Sequence, residues 1–307
     1  MGRLLAAAAL AVALALPAGA QAADAPHVPW TSLLPALPGQ HTESAWEDCA
    51  DGDPGCVEET LDEMYRRYGA YLADDCDHNA VFALTYIRVT EAYANVAGTG
   101  FFEEERFLAH EDAVFARLYF DAHDAWHEGR IEDVPLAWRV ALETAAARDV
   151  PAIADMLLGM NAHVNRDMPF MLAGLGLVKP DGTSRKRDHD AFNELLNAVY
   201  DDVIAEIAQR FDPTTAVWDP EFTTLDNLLI FQLLPLWREG VWRHAELLRL
   251  APTPEARAAI GQWIETYAFL QAQLIREAFR YRGGQTSAAR DAWCLAHAGT
   301  AEDARPG

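Results

Sequence analysis

The sequence predicts an all-α protein, a single multi-helix bundle of about eight helices around a buried central helix. Three observations support this fold class. Apolar residues recur at helical spacing along most of the chain, runs with β-type alternation are nearly absent, and neither a repeat nor a linker divides the sequence. A hydrophobic content of 51% is also enough for a full core. We therefore expect one domain over residues 46–300.

The expected helices follow one another with short connections, and several begin at start signals. Asp77 precedes the second helix, and Pro135 and Pro151 lie where a first-turn proline is tolerated. Asp188 would cap the sixth helix, and Thr253 would open the last. In chain order, the expected helices span roughly 57–72, 78–97, 104–128, 135–148, 151–167 (or on to 177), 188–210, 222–249 and 254–281.

The amino terminus has the pattern of a secretory signal peptide over residues 1–22. Arg3 is followed by an apolar run over 4–17 and then by small residues, with A-x-A cleavage sites at Ala20 and Ala22. We therefore expect a secreted or periplasmic protein. Residues 23–45 are rich in proline and predict a loose N-terminal arm. No later apolar run reaches membrane length, so no integral membrane segment is expected after signal cleavage.

The net charge restricts the partners that the surface can attract. The sequence has 24 basic and 47 acidic residues, for a formal net charge of −23. Such a surface repels DNA, RNA and anionic lipid, so no nucleic-acid partner is expected. A small-molecule ligand or substrate is compatible with this charge, and the oligomeric state is not readable from it.

Four cysteines in an exported chain predict disulfides. Cys49 and Cys56 flank a turn-rich loop that would close locally, which leaves Cys76 to pair with Cys294. Four cysteines allow three pairings, and a zinc site is an alternative use of these residues.

The central helix carries polar residues within the apolar stretch LLGMNAHVNRDMPF at 157–170. His163 and Asp167 are four residues apart and share one helix face, whereas Asn161 and Asn165 fall on the opposite face. Both faces are otherwise apolar, so this helix is expected to lie in the middle of the bundle. Pro169 would bend or end it. Chance alone gives roughly 1.5 His-x3-acid pairs in this composition, so only the buried, kinked setting distinguishes this one.

This stretch resembles a bacterial family, domain of unknown function 5995. The resemblance lies in an N-A-H-[IV]-N-x-D-[LM]-P run that follows a P-x-A-W segment, here N-A-H-V-N-R-D-M-P after P-L-A-W, and it covers about residues 60–250. It implies an all-helical fold and brings no established activity.

The stretch is also similar, more weakly, to the secreted zinc phospholipase C and P1 nuclease superfamily, by which His163 and Asp167 would be metal ligands. This chain lacks the second His-x3-Asp or His-x3-Glu helix of that superfamily and its tryptophan at the mature N-terminus.

The start of the next helix supplies candidates that would meet His163 and Asp167. Asp190, His189 or Asn193 would face them across a helix pair, and a carboxylate–imidazole set suits a divalent metal such as zinc. The simpler alternative is that Asp188 caps this helix and Asp190 is a first-turn acid.

The R-K-R cluster at 185–187 is the densest basic segment of an acidic chain. With Arg166, the side chains of Arg185 and Arg187 would bind an anionic ligand group, with Asn193 beside them. Pairing with neighbouring acids is the structural alternative.

Two functional hypotheses follow. In the first, the protein is a metal-dependent hydrolase-like enzyme whose catalytic residues are His163, Asp167, Asn165 and Asp190, with His163, Asp167 and Asp190 as the metal ligands. In the second, it is a non-catalytic secreted protein that binds a small apolar or anionic ligand, and the same polar cluster only holds helices together. The sequence has no G-x-S-x-G, P-loop, G-x-G-x-x-G or H-E-x-x-H motif.

Overall fold

The computed structural model describes residues 28–218 and 224–305, with side chains given for all of these except 217–231. Within these ranges the protein is a bundle of α-helices without a β-strand, and the only β-type pairing described is an isolated bridge between Val178 and Ser184. The predicted all-α fold class is therefore confirmed. The predicted signal peptide, residues 1–22, lies outside the described residues.

The helices occur close to where the sequence predicts them. Their bounds are α1 Gly55–Ala73, α2 Asn79–Val96, α3 Glu105–His127, α4 Leu136–Ala147, α5 Ala152–Met160, α6 Met168–Leu175, α7 Lys186–Arg210, α8 Thr224–Leu250, α9 Pro254–Phe279, α10 Ala288–His297 and α11 Ala301–Ala304. A seven-residue π-helix, Asn161–Asp167, joins α5 to α6, and short 3-10 helices lie at Trp30–Leu33, Ile131–Asp133 and Pro213–Trp218.

The sequence did not predict α10 and α11, because both are short and depend on tertiary contacts or caps. Helix α10 is joined to the body by Cys294, and α11 begins with a capping box in which Thr300 and Asp303 bond each other's backbone. The expected cap at Asp188 was wrong, since α7 begins at Lys186. The Asp188 carboxylate instead accepts the backbone N–H groups of Glu103 and Glu104, each at 2.9 Å, just before α3.

The segment formed by α5, the π-helix and α6 runs through the middle of the bundle and contacts α2, α3, α4, α8 and α9. Two glycines allow close packing there. A Cβ at Gly159 would overlap the ring of Phe82 on α2, and one at Gly174 would overlap the indole of Trp46. The expectation of a buried central helix is met, because almost every residue of this segment is buried.

Both predicted disulfides are present, Cys49–Cys56 and Cys76–Cys294. The first closes a local loop, and the second joins the segment between α1 and α2 to helix α10 across a sequence separation of 218. Cys49, Asp51 and Cys56 have ligand atoms within 4.8 Å of one another, but both of these cysteines are oxidised to the disulfide. The alternative of a zinc site on the cysteines is therefore not supported.

The described part of the N-terminal arm, residues 28–45, has little regular structure and runs across α7 and α8. The carbonyl of Thr31 accepts a hydrogen bond from Lys186 Nζ at 3.0 Å, and the N–H of Leu37 donates to Glu246 at 2.7 Å. These contacts fasten the arm to the bundle. In the described portion of the chain, no helix is both long and apolar enough to span a membrane.

Candidate functional site

The central helix does not break at Pro169 but widens before it. Over Asn161–Asp167 the backbone is π-helical, and the N–H of Met168 donates to the carbonyl of His163, five residues earlier. Proline has no N–H to donate and clashes with the carbonyl four residues before it in an ordinary α-helix. A wider turn avoids that arrangement, and π-helical turns occur frequently at functional sites.

The π-helix presents the two polar faces that the sequence predicts. On one face, Asn165 Nδ2 donates to Asn161 Oδ1 at 3.0 Å, and Asn161 Nδ2 donates to the carbonyl of Ala268 on α9 at 2.9 Å. These amides join the central helix to α9. Asn165, which was predicted to be catalytic, therefore has a structural hydrogen-bonding partner.

The opposite face carries His163 and Asp167. Nδ1 of His163 lies 3.2 Å from Oδ2 of Asp167, and the same oxygen accepts the indole N–H of Trp138 at 2.7 Å. The other oxygen of Asp167 accepts Nη1 of Arg166 at 2.9 Å, and Arg166 also bonds Glu265. Both carboxylate oxygens are thus engaged, and Asp167 orients the imidazole of His163.

The imidazole of His163 lies among aromatic rings. It stacks on Phe115 with centroids 3.5 Å apart, and the ring of Tyr86 lies edge-on with centroids 4.6 Å apart. Burial lowers the pKa of His163, although the Asp167 carboxylate favours the charged form. Nε2 is buried and has no hydrogen-bond partner among the described residues.

His163 lines a cavity of about 90 Å³ between α2, α3, the central helix, α7 and α8. Smaller chambers of about 40 Å³ each adjoin it on two sides and share lining residues with it. The lining is almost entirely apolar and includes methionines and aromatic rings, namely Phe82, Tyr86, Phe115, Met156, Met160, Met168 and Phe192. These chambers form an elongated apolar cleft.

Polar side chains are among the residues that line one end of the cleft. Glu111 and Asp112 of α3 line this chamber together with Tyr86, Thr90 and Tyr93 of α2. Burial is the main cause that raises the pKa of Glu111 to about 7 and that of Asp112 to about 8. Both residues keep part of their surface accessible, which fits side chains that line a cavity while protein surrounds them.

Arg238 of α8 lines the same chamber and is buried. Its Nε donates to Asn193 Oδ1 at 2.8 Å, and its Nη2 donates to the carbonyl of His189 at 2.6 Å. Burial lowers the pKa of Arg238 to about 10, against the opposite effects of Glu111 and Asp190. Asn193, which was predicted to bind a ligand, thus holds this guanidinium and also lines the chamber at the other end of the cleft.

Asp190 is bonded elsewhere. Its two carboxylate oxygens accept Nζ of Lys186 at 3.0 and 2.8 Å, and Lys186 also pairs with Glu239 and bonds Thr31 of the arm. In the part of the chain that the structure describes, no group of three His, Asp or Glu ligand atoms includes His163, Asp167 and Asp190. The predicted metal triad is therefore not brought together, because α7 directs Asp190 to the arm.

The arginines of the basic cluster at 185–187 form ion pairs with acidic side chains. Arg185 pairs with Glu104 at 2.8 Å, bonds the carbonyls of Gly176 and Val178, and stacks over Phe107. Arg187 is exposed and pairs with Glu103. These arginines are thus paired with neighbouring acids, as the structural alternative expects. Arg166 is likewise paired with Asp167 and Glu265.

Four residues of the cleft, Glu111, Asp112, Tyr86 and Arg238, were not predicted as site residues from the sequence. A signal for the acids was present, because Leu108, Glu111, Asp112 and Phe115 have the i, i+3, i+4, i+7 spacing of one helix face. Two acids on an apolar stripe indicate burial. Arg238 gives no such signal, since only the packing of α7 on α8 places it in the cleft.

The fold and the cleft define an all-α protein with an internal, largely apolar cavity. The chain belongs to the DUF5995 family, a family of unknown function, whose model matches residues 57–278. This confirms the resemblance carried by the N-A-H-V-N-R-D-M-P run. No curated protein and no solved structure matches the chain. The likeness to the zinc phospholipase C and P1 nuclease superfamily is therefore not supported.

Proposed function

We propose that this protein binds a small, elongated, largely apolar molecule in the cleft beside His163. The observation that carries the proposal is the cavity itself, which has an apolar lining and a buried Nε2 atom of His163 without a partner in the described chain. Ligand sites are typically apolar pockets with a few polar groups that fix orientation. The chambers adjoin end to end, so a chain-like molecule suits them better than a compact one.

The energetics favour an apolar occupant. Filling the cleft removes apolar surface from water, at about 25 cal/mol for each Å² that is buried. Methionine and aromatic side chains can adjust to ligands of different shape, since methionine has three rotatable bonds. The polar hydrogen bonds of the central helix keep the His163 face fixed, which reduces the cost of ordering the site on binding.

The test is calorimetric titration of the purified protein with 1-octanol, an apolar chain with one hydroxyl group. Leu196 lines both the main cavity and an adjoining chamber, so Leu196→Trp fills the cleft. We expect this variant to bind 1-octanol at least about tenfold more weakly while its unliganded melting temperature does not fall greatly.

Leu247→Trp is the matched control, because Leu247 is an exposed leucine of α8. It should bind 1-octanol as the parent does. If Leu196→Trp binds 1-octanol with unchanged affinity, or if the parent binds neither 1-octanol nor charged molecules with the same chain, the cleft is not a ligand site.

A second candidate is enzymatic, a hydrolase-like use of the same cleft. It is favoured by the His163–Asp167 contact, in which a carboxylate holds Nδ1 of a side chain that lines the cavity, as in a general base. Nε2 has no hydrogen-bond partner among the described residues. This candidate would be supported if the parent hydrolyses p-nitrophenyl butyrate and His163→Gln does not. His163→Gln should still bind 1-octanol. Elemental analysis of the parent and of His163→Ala tests its metal-dependent form. Absence of any turnover above the His163→Gln level would leave binding as the function.

We also propose that the protein is exported. Two disulfides support this location, since such bonds persist in oxidising compartments. Amino-terminal sequencing of the protein from the periplasmic or culture fraction tests it, and cleavage after Ala20 or Ala22 is the expected result.

A further inference from the structure

The end of the cleft that Glu111 and Asp112 line contains a carboxylate that no cation compensates in the described part of the chain. Asp112 Oδ2 is buried and has no hydrogen-bond partner in the described part of the protein. Burial and the negative charge of Glu111 both raise the pKa of Asp112, and no cation among the described residues acts in the opposite direction. An unpaired buried charge costs free energy, so this carboxylate is either protonated or requires a positively charged partner.

The cation that lines this chamber, Arg238, already has hydrogen-bonding partners. Arg238 is held by Asn193 and His189, and its electrostatic effect falls on Glu111 rather than on Asp112. With Glu111, Asp112 and Arg238 all ionised, this end of the cleft carries one negative charge in excess. A monovalent cation would cancel it.

Two further groups lack partners at the same place. Tyr86 and Thr90 line this chamber, with residue exposures of 6% and 1%. Their hydroxyl groups are buried and find no hydrogen-bond partner among the described residues. They are independent of the acidic pair, because they belong to α2. Unpartnered buried hydroxyls beside a carboxylate indicate that the chamber holds a polar group of a bound molecule.

The remaining wall consists of aromatic rings and aliphatic side chains. Tyr86, Tyr93, Phe115 and Phe192 line the chamber, and ring faces attract ammonium groups by cation–π interaction. A hydrated inorganic cation could use the carboxylates and hydroxyls here but would leave the apolar cleft alongside empty. An organic cation with an apolar chain would place its charged group in this chamber and its chain in the apolar cleft.

We propose that the ligand is an amphipathic organic cation, an amine or quaternary ammonium, whose charged group lies beside Asp112 and Glu111 and whose apolar chain extends past His163. This inference rests on the proposed function, since it names the class of molecule that the apolar cleft binds. It assigns Asp112 as the main determinant of charge selectivity, with Tyr86, Tyr93 and Thr90 around the charged group.

The experiment compares three probes with the same chain, octyltrimethylammonium, 1-octanol and octanoate, by calorimetric titration of the purified full chain. We expect octyltrimethylammonium to bind at least about tenfold more tightly than 1-octanol, and octanoate to bind most weakly. Asp112→Asn should remove the preference for the cation while 1-octanol binding changes little. Glu111→Gln is the second variant, and it should weaken the preference in part, because Glu111 also faces Arg238.

Asp121→Asn is the matched control, since it makes the same charge change on the exposed side of α3. It should preserve the preference for the cation. If 1-octanol and octanoate bind as well as octyltrimethylammonium, or if Asp112→Asn keeps the preference, the charge assignment is overturned and the apolar site stands. If none of the three probes binds, the proposed function fails and this inference fails with it.

Discussion

The imidazole of His163 lies flat on the phenyl ring of Phe115, with centroids 3.5 Å apart and ring planes only 8° from parallel. This contact joins the central π-helix to α3, the helix that also carries Glu111 and Asp112. An apolar ring covers one face of the imidazole while Asp167 holds Nδ1. The two contacts have opposite effects on protonation, because burial favours neutral imidazole and a carboxylate favours imidazolium.

We expect burial to prevail, so that His163 stays neutral at about pH 5.5, where an ordinary histidine with a pKa of about 6.5 is mostly protonated. The measurement is an NMR titration of the histidine ring resonances, with the His163 signal assigned by its loss in His163→Gln. A midpoint at or above about 6.5 would mean that Asp167 dominates and that the pair is ionic.

Gly159 allows α5 to approach α2, because a Cβ there would overlap the ring of Phe82. Gly159→Ala should lower the free energy of unfolding by about 1–3 kcal/mol through overpacking. Phe82 also lines the main cavity, so the variant should alter 1-octanol binding as well. Urea denaturation measures the change in stability.

Gly240→Ala is the control for this substitution, because Gly240 lies within α8 and a Cβ there would meet no atom within 4 Å beyond its own stretch of helix. Alanine favours a helix over glycine by about 1 kcal/mol, so this variant should be more stable than the parent. Equal losses in both variants would show that the contact with Phe82 is not the cause.

The two disulfides should contribute unequally to stability. The sequence separations are 218 residues for Cys76–Cys294 and 7 for Cys49–Cys56. Chain entropy then gives about 5 kcal/mol for the long loop and about 2 kcal/mol for the short one. We expect the double variant Cys76→Ala, Cys294→Ala to lose more free energy of unfolding than Cys49→Ala, Cys56→Ala. The reverse order in denaturant titrations would show that strain or residual structure outweighs loop entropy.

Asp112 should make stability fall as pH rises. Its pKa is about 8 in the folded protein and about 3.9 in an unfolded chain, so the folded state retains a proton that the unfolded state loses between these values. The stability contributed by protonated Asp112 is therefore full below about pH 4 and is lost progressively up to about pH 8. Glu111, raised to about 7, acts in the same direction over a narrower range.

Asp112→Asn removes the contribution of this proton to the pH dependence of stability. The free energy of unfolding of the variant, minus that of the parent, should therefore increase from pH 4 to pH 8. Comparison of the variant with the parent cancels the titrating groups that do not interact with Asp112. Urea midpoints across this range provide the measurement, with Asp121→Asn as the exposed control on the same helix. A relative stability that does not change with pH would mean that Asp112 is ionised in the folded protein throughout.

The local pattern of the sequence was sufficient for most of the fold. Helical periodicity predicted eight helical stretches close to the observed ones, with α5, the π-helix and α6 as a single helix, since amphipathic spacing directly reflects which face is buried. Loop chemistry and elimination also predicted the disulfide pairing. The capping role expected of Asp188 was wrong, because its carboxylate accepts backbone N–H groups just before α3, and sequence proximity does not reveal a contact between distant segments.

The sequence by itself determined the all-α class, the buried central helix, its two polar faces and the family to which the chain belongs. Only the tertiary structure decided what those faces meet. It directed Asp190 to Lys186 and placed His163 against Phe115. It also enclosed Asp112 with Tyr86 and Thr90 in the cleft. The reason is physical: periodicity records that a side chain is buried, whereas its partners depend on how distant helices pack, and that information is not local.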